Sequence, residues 1–170
     1  MSSRLSDKFS SKHSKNNEKS DKTREYISFS VGNEIFATEI LKIHEVTSYR
    51  EMTNVPSLPR FVKGVLNLKG FVVPVMDLRE KFGYEKREYN KFTVVMIVDV
   101  SGRMMGVIVD TVVDVFDVFK KDIKPPPRFS ARIKTEFIKG MVRHDDDKFI
   151  ILLDMDKILS EKELDEMESI

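Results

Sequence analysis

The chain repeats itself. Residues 27–46, ISFSVGNEIFATEILKIHEV, lie over residues 96–115, MIVDVSGRMMGVIVDTVVDV, at a constant offset of 69 (96 − 27 = 69 and 115 − 46 = 69). Apolar residues recur at matching positions: Ile27/Met96, Phe29/Val98, Val31/Val100, Phe36/Met105, Ile40/Val109, Ile43/Val112 and Val46/Val115. The turn pair Gly32-Asn33 falls on Ser101-Gly102, and the small Ala37 on Gly106. A second echo, FVKGVL at 61–66 and FIKGMV at 137–142, follows at an offset of 76, so the later copy carries seven more residues in between. Duplication of this kind uses one folding solution twice, and it points to a protein that presents surfaces before it points to one built around a catalytic cleft.

Strand signals dominate each copy. Tyr26 to Val31 alternates, Gly32-Asn33 turns and Glu34 to Thr38 returns, a hairpin by pattern and by turn chemistry. Ile40 to Val46 is ambiguous, because Ile40, Ile43 and Val46 are three apart and a local helix over 39–45 competes with a strand. After the loop Asn54 to Pro59, the runs Val62 to Leu68 and Phe71 to Met76 flank Lys69-Gly70 as a second hairpin. The later copy repeats the order with runs at 92–100, 104–110, 111–119, 137–143 and 148–153, broken by Pro125-Pro126-Pro127 and by the polar turn His144 to Asp147. Short strands with regular turns predict an all-β fold of small sandwiches or barrels, and closure into barrels removes free edges. Each copy then ends in a helix start, at Asp77-Leu-Arg-Glu80 and at Asp154-Met-Asp-Lys157, and Ser160-Glu-Lys-Glu163 is a capping box that opens a C-terminal helix over 160–170.

Composition narrows the function. Lys and Arg number 29 against 28 Asp and Glu, which leaves no single-sign field of the kind that steers nucleic acid. Residues 1–24 hold seven of the basic residues, three acids, seven Ser and only Leu5 and Phe9 as large apolar residues. This segment, at +4, cannot bury enough surface to offset its chain entropy and reads as a disordered basic tail, which leaves about −3 on residues 25–170 (1 − 4 = −3). No apolar run follows the positive start to make a secretory signal, and no stretch approaches a membrane span. The absence of Cys removes disulfides and thiolate chemistry and fits a reducing, cytoplasmic interior.

No carrier of enzyme chemistry stands out. The three histidines, His13, His44 and His144, are too scattered to form a metal or acid/base cluster, and His144-Asp-Asp-Asp147 lacks the spaced ligands and Gly of a calcium loop. Neither a nucleophile elbow nor a phosphate-binding Gly-rich loop is present. The acids Asp99, Asp110, Asp114 and Asp117 read as a solvated face opposite valines, and the proline run as a stiffened loop rather than a polyproline ligand. Phe61 to Gly70 is more informative, since Gly64 interrupts a strongly apolar strand. Glycine there means either a bend in the chain's own sheet or a partner's backbone docking, with Lys69 at the rim.

Five blocks in order carry a resemblance: ILKIHEV (40–46), VPSLPRFVKGVLNLKGFVVPVMDLREKFG (55–83), GVIVDTVVDV (106–115), IKPPPRF (123–129) and TEFIKGM…FIILLDMDKIL (135–159). Together they resemble the CheW family of chemotaxis coupling proteins over about Glu25 to Leu159, without the ATP site, phosphoacceptor domain or receiver domain of the related kinases and fusions. The resemblance implies two five-stranded barrels of the Src-homology-3 type, a domain over 25–160 with repeats at about 25–83 and 90–159, or with strands exchanged between the barrels. It implies a non-enzymatic scaffold without cofactor or metal. Such a scaffold bridges the cytoplasmic tips of methyl-accepting chemoreceptors to the regulatory domain of the histidine kinase CheA and joins other copies of itself in arrays at the inner face of the membrane.

By the same resemblance, a receptor helical hairpin lies in the groove between the two halves and meets Glu45, Lys69, Val112 and Val115, while Ile43 and Gly64 match positions associated with kinase coupling. Read on their own chemistry, Ile43, Val112 and Val115 serve equally well as barrel core. The family usually carries Asn-Leu-Arg-Gly where this chain has Asn67-Leu68-Lys69-Gly70, and exchanging a planar fork for a flexible point charge predicts a weaker or differently tuned receptor contact. The competing class is a small-barrel nucleic-acid binder, which needs aromatic stacking in a basic groove; here Phe and Tyr are dispersed.

Overall fold

The computed structural model describes residues 23–126, 133–145 and 147–168. The first repeat supplies β1 (Thr23–Val31), β2 (Glu34–Glu39), β3 (Ile43–Ser48), β4 (Val62–Leu68) and β5 (Phe71–Asp77), closed by the short helix α1 (Leu78–Lys81). The second supplies β6 (Val94–Val100), β7 (Arg103–Val109), β8 (Thr111–Phe119), β9 (Ile138–His144) and β10 (Lys148–Leu153), followed by a 3-10 turn at Met155–Lys157 and the C-terminal helix α2 (Glu161–Glu168). The ambiguous spacing at Ile40 resolves both ways in turn. Ile40–Lys42 forms one 3-10 turn, and the extended strand starts at Ile43.

Neither repeat builds its own sheet. One sheet runs β8-β1-β2-β10-β9 and the other β3-β6-β7-β5-β4, so each combines the first hairpin of one repeat with the last three strands of the other. Replacing every strand of the first sheet by its counterpart (β1 by β6, β2 by β7, β8 by β3, β9 by β4, β10 by β5) regenerates the order of the second. The parallel pairs β2/β10 and β5/β7 join the exchanged pieces, with Phe36 opposite Ile151 and Gly106 opposite Val75. The expected closed barrels are not what forms, because the ladder of each sheet is open at both ends. One isolated bridge spans each opening, Thr53 to Val65 in one sheet and Lys124 to Met141 in the other.

The exchange explains the burial. Alternate residues of β6 face opposite ways, Met96, Val98 and Val100 into a seam shared by both sheets and Val95 and Ile97 into a core enclosed by their own sheet. β1 does the same, with Ile27 and Phe29 in the shared seam and Tyr26 in the core of its own sheet. Strands covered on both faces lose the polar half of the pattern, which is why 94–98 reads as an unbroken Val-Val-Met-Ile-Val. Phe36, Phe82 and Phe137 form a chain of ring contacts across the seam, with centroids 5.3 Å and 6.1 Å apart.

The caps form as their sequences indicate. The Asp77 carboxylate accepts from the Arg79 N–H at 2.8 Å, and Asp154 accepts from the Asp156 N–H. In the capping box the Glu163 N–H donates to Ser160 Oγ at 3.1 Å while the Ser160 N–H donates to Glu163 Oε1 at 2.8 Å. The sheet begins at Thr23, opposite Phe119, two residues inside the segment read as tail; residues 1–22 and 169–170 lie outside the described residues. Among the described residues no helix is long and apolar enough to cross a membrane.

Candidate functional site

β3 and β8 are the counterpart edge strands of the two sheets, and each begins immediately after the chain crosses from one sheet to the other. A groove of 360 Å³ runs along the end of β3 and reaches β8 at its first residue, lined by Val46, Thr47 and Ser48 of β3, the segment Lys91 to Val94 leading into β6, and Thr111 of β8. Phe92 is 61% exposed there, with Lys91 Nζ 5.2 Å from its ring centroid. The groove is open and mixes apolar side chains (Val46, Phe92, Val94) with hydroxyls (Thr47, Ser48, Thr93, Thr111), which suits an amphipathic helix laid along it.

The six residues singled out in the sequence divide by environment. Glu45 is exposed on β3 beside groove-lining Val46, and Val112 follows Thr111 on β8 while packing against the shared seam. These two lie on the strands that flank the groove. Val115 is 6% exposed and belongs to the seam, so its side chain is core and not contact surface. Ile43 is half-buried against the same seam.

Lys69 is exposed at the β4–β5 turn and does not line the groove. Its φ of 50° and that of Gly70, 88°, give two successive left-handed residues, as a tight hairpin requires, and the Gly70 N–H donates to Asn67 Oδ1. Gly64 is buried with φ 153°, and the backbone that approaches it is the chain's own: a Cβ at 64 would overlap the Thr53 carbonyl oxygen. The glycine serves the Thr53–Val65 bridge, so of its two readings the close approach within the chain's own sheet is the one the structure shows.

Two polar constellations at the strand starts went unread in the sequence. Asp110, placed there on a solvated face, accepts from Arg79 Nε at 2.8 Å, from Arg79 Nη2 at 3.1 Å and from the Gly32 N–H at 2.9 Å. Asp156 accepts from Lys42 Nζ at 2.8 Å and from the Ser101 N–H at 2.9 Å. Lys42's hydrogen bond, together with that from Ser101, holds the Asp156 carboxyl below the usual carboxylate range, and Asp110 raises Arg79. Phe92 is missed for a simpler reason: the apolar run reads as strand from residue 92, whereas the strand begins at Val94 and leaves Phe92 exposed ahead of it.

One place where buried titratable groups converge beside α1, at Asp77 and Tyr89, has no room for a substrate. Asp77 accepts from the Tyr89 O–H at 2.7 Å, and burial raises both groups above their ordinary values. The space they share with Arg79 and Asp110 measures 10 Å³, about one water molecule.

A CheW-like domain model matches residues 25–163. The chain is 36% identical over 141 residues to the chemotaxis protein CheW of Klebsiella aerogenes, covering 83% of this chain and 84% of that one. It is 30% identical to the CheW of Rhizobium meliloti, over 82% of this chain and 90% of the relative. The crystal structure of the scaffolding protein TtCheW from Thermoanaerobacter tengcongensis superimposes with a TM-score of 0.75 at 33% identity, over 82% of this chain and 94% of that one. Exchanged sheets, a groove between counterpart edge strands and this breadth of similarity lead to one conclusion: the chain belongs to the CheW family of chemotaxis proteins.

Proposed function

We propose that this chain is a non-catalytic scaffold that couples methyl-accepting chemoreceptors to the regulatory domain of the kinase CheA, working in the cytoplasm in arrays at the inner face of the membrane. The observation that carries the reading is the groove between β3 and β8, open to solvent and bordered by Val46, Phe92 and Thr111. An amphipathic receptor hairpin presents apolar residues at helical spacing, and Phe92 with Val46 offers them cover while Glu45 sets orientation at the rim. Lys69, remote from the groove lining, acts in this reading through a second contact made by the β4–β5 turn. Ile43 and Gly64 act on kinase coupling through strand geometry, since neither is freely exposed.

The nucleic-acid alternative is not favoured. Exposed Phe71 and Phe149 stand on strands of different sheets and Phe92 in the segment before β6, so they make no stacking platform. Titrating isotope-labelled protein with a soluble receptor-tip fragment tests the groove. Amide shifts centred on Val46, Phe92 and Thr111 are expected; shifts confined to the outer faces of the sheets contradict the assignment.

A further inference from the structure

Each of the two strands that border the groove is tied, at the residue just before it begins, by an ion pair with a carboxylate, and the two pairs are built with opposite polarity. Asp110 directly precedes β8 and is held by the Arg79 guanidinium of α1, whereas Lys42 directly precedes β3 and is held by the Asp156 carboxylate of the 3-10 turn that corresponds to α1. In both, the carboxylate also accepts a backbone N–H from the first-hairpin turn. The donors are Gly32 in one half and Ser101 in the other, counterparts at the repeat offset (101 − 32 = 69). Each carboxylate therefore ties together a hairpin turn of one sheet, a crossover segment and the helical turn that follows the other sheet.

We propose that Asp110 and Asp156, through Arg79 and Lys42, are positioning residues for the docking groove: paired latches that fix the spacing of β3 and β8. This rests on the groove being the docking site. The first latch is the drier, at 15% and 14% side-chain exposure, and bidentate; the second is more open, at 30% and 44%. Charge-assisted bonds of this geometry hold direction as well as distance, and each replaces a turn N–H to water bond with an internal one. Additional ties, Asp110 N–H to the Ser30 carbonyl at 2.9 Å and Ser101 Oγ–H to the Asp156 carbonyl at 2.9 Å, hold the two carboxylate-bearing residues from the backbone side. None of these groups lines the groove itself, so their influence on a ligand passes through strand position.

The test uses exposed counterparts on the two strands, His44 and Val113 (113 − 44 = 69), each replaced by Cys for spin labelling in a chain with no Cys of its own. Pulsed dipolar spectroscopy is then run on the parent, Lys42→Met, Lys42→Arg and Asp110→Asn backgrounds. A narrow separation in the parent that broadens or shifts in Lys42→Met and Asp110→Asn and narrows again in Lys42→Arg supports the latches. Should Asp110→Asn fail to fold, the more exposed Lys42 pair carries the comparison. Unchanged separations, or equal broadening in Lys42→Met and Lys42→Arg, overturn the proposal. Affinity for the receptor-tip fragment is expected to fall about fivefold in Lys42→Met and to recover in Lys42→Arg; unaltered affinity beside a broadened separation overturns the positioning role. Failure of the parent itself to bind that fragment sinks the receptor reading, while the separations still decide the latches.

Discussion

Gly64 lies directly beneath the Thr53 carbonyl. An added Cβ would overlap that oxygen and stand 3.0 Å from its carbon, and the φ of 153° is one that other residues rarely adopt. The second repeat does the same with Gly140, where a Cβ would stand 2.9 Å from the Lys124 carbonyl oxygen. Both glycines sit under the isolated bridge that, among the described residues, spans the open side of their sheet. Gly64→Ala is therefore expected to cost about 3 kcal/mol, and Gly140→Ala a comparable amount, read as a lowered denaturant midpoint with an unchanged slope. A loss of kinase coupling in Gly64→Ala at full stability would instead make position 64 a contact.

Lys69 allows turn stability and coupling to be separated. Asn is better tolerated than Lys in the left-handed conformation, so Lys69→Asn is expected to raise stability by about 0.5 kcal/mol while removing the positive charge. Lys69→Arg keeps the charge and is expected to preserve or strengthen receptor coupling, whereas Lys69→Glu weakens it in a correctly folded protein. Equal coupling by the Arg and Glu variants would take Lys69 out of the site.

Asp156 links stability to pH with a defined sign. Its folded carboxyl is held below the ordinary range, chiefly by Lys42, so the stabilisation it contributes is complete above the unfolded pKa and is lost as pH falls through the folded one. Asp156→Asn lacks that contribution at every pH. The stability gap between parent and variant, measured in denaturant, is expected to be largest near neutrality and to shrink below about pH 4. A gap that widens on acidification contradicts the assignment.

Glu163 fastens the C-terminal helix twice. It accepts from the Ser160 N–H and from Lys81 Nζ, at 2.9 Å, and Lys81 also lies 4.5 Å from the Phe61 ring centroid. Burial opposes ionisation of Glu163, but the Ser160 and Lys81 bonds outweigh it and its carboxyl titrates below the ordinary value. Glu163→Ala is expected to cost about 2 kcal/mol and to release amide protection around Leu164 and Met167; Glu163→Gln, which still accepts from Ser160, costs less.

The repeat, the hairpins at Gly32-Asn33 and Lys69-Gly70, and the capping box at Ser160 were legible because each rests on local chemistry. Strand exchange is not decided by the sequence, because periodicity fixes which face of a strand is buried and says nothing about which strand lies beside it. Val115 shows the consequence. Its repeat equivalence to Val46 was visible, yet Val46 lines the groove and Val115 fills the seam. Charged residues were the least legible. Asp110 and Arg79 are 31 positions apart and Lys42 and Asp156 are 114 apart, and only the folded chain brings them together.

The central claim, that this chain joins a receptor to a kinase, is tested most directly by reconstitution. Kinase autophosphorylation is measured with receptor signalling fragments alone, with this protein alone, and with both together. The scaffold reading predicts strong stimulation only when all three components are present, accompanied by a ternary complex that co-sediments. Stimulation that does not depend on this protein, or the absence of a ternary complex, would contradict it.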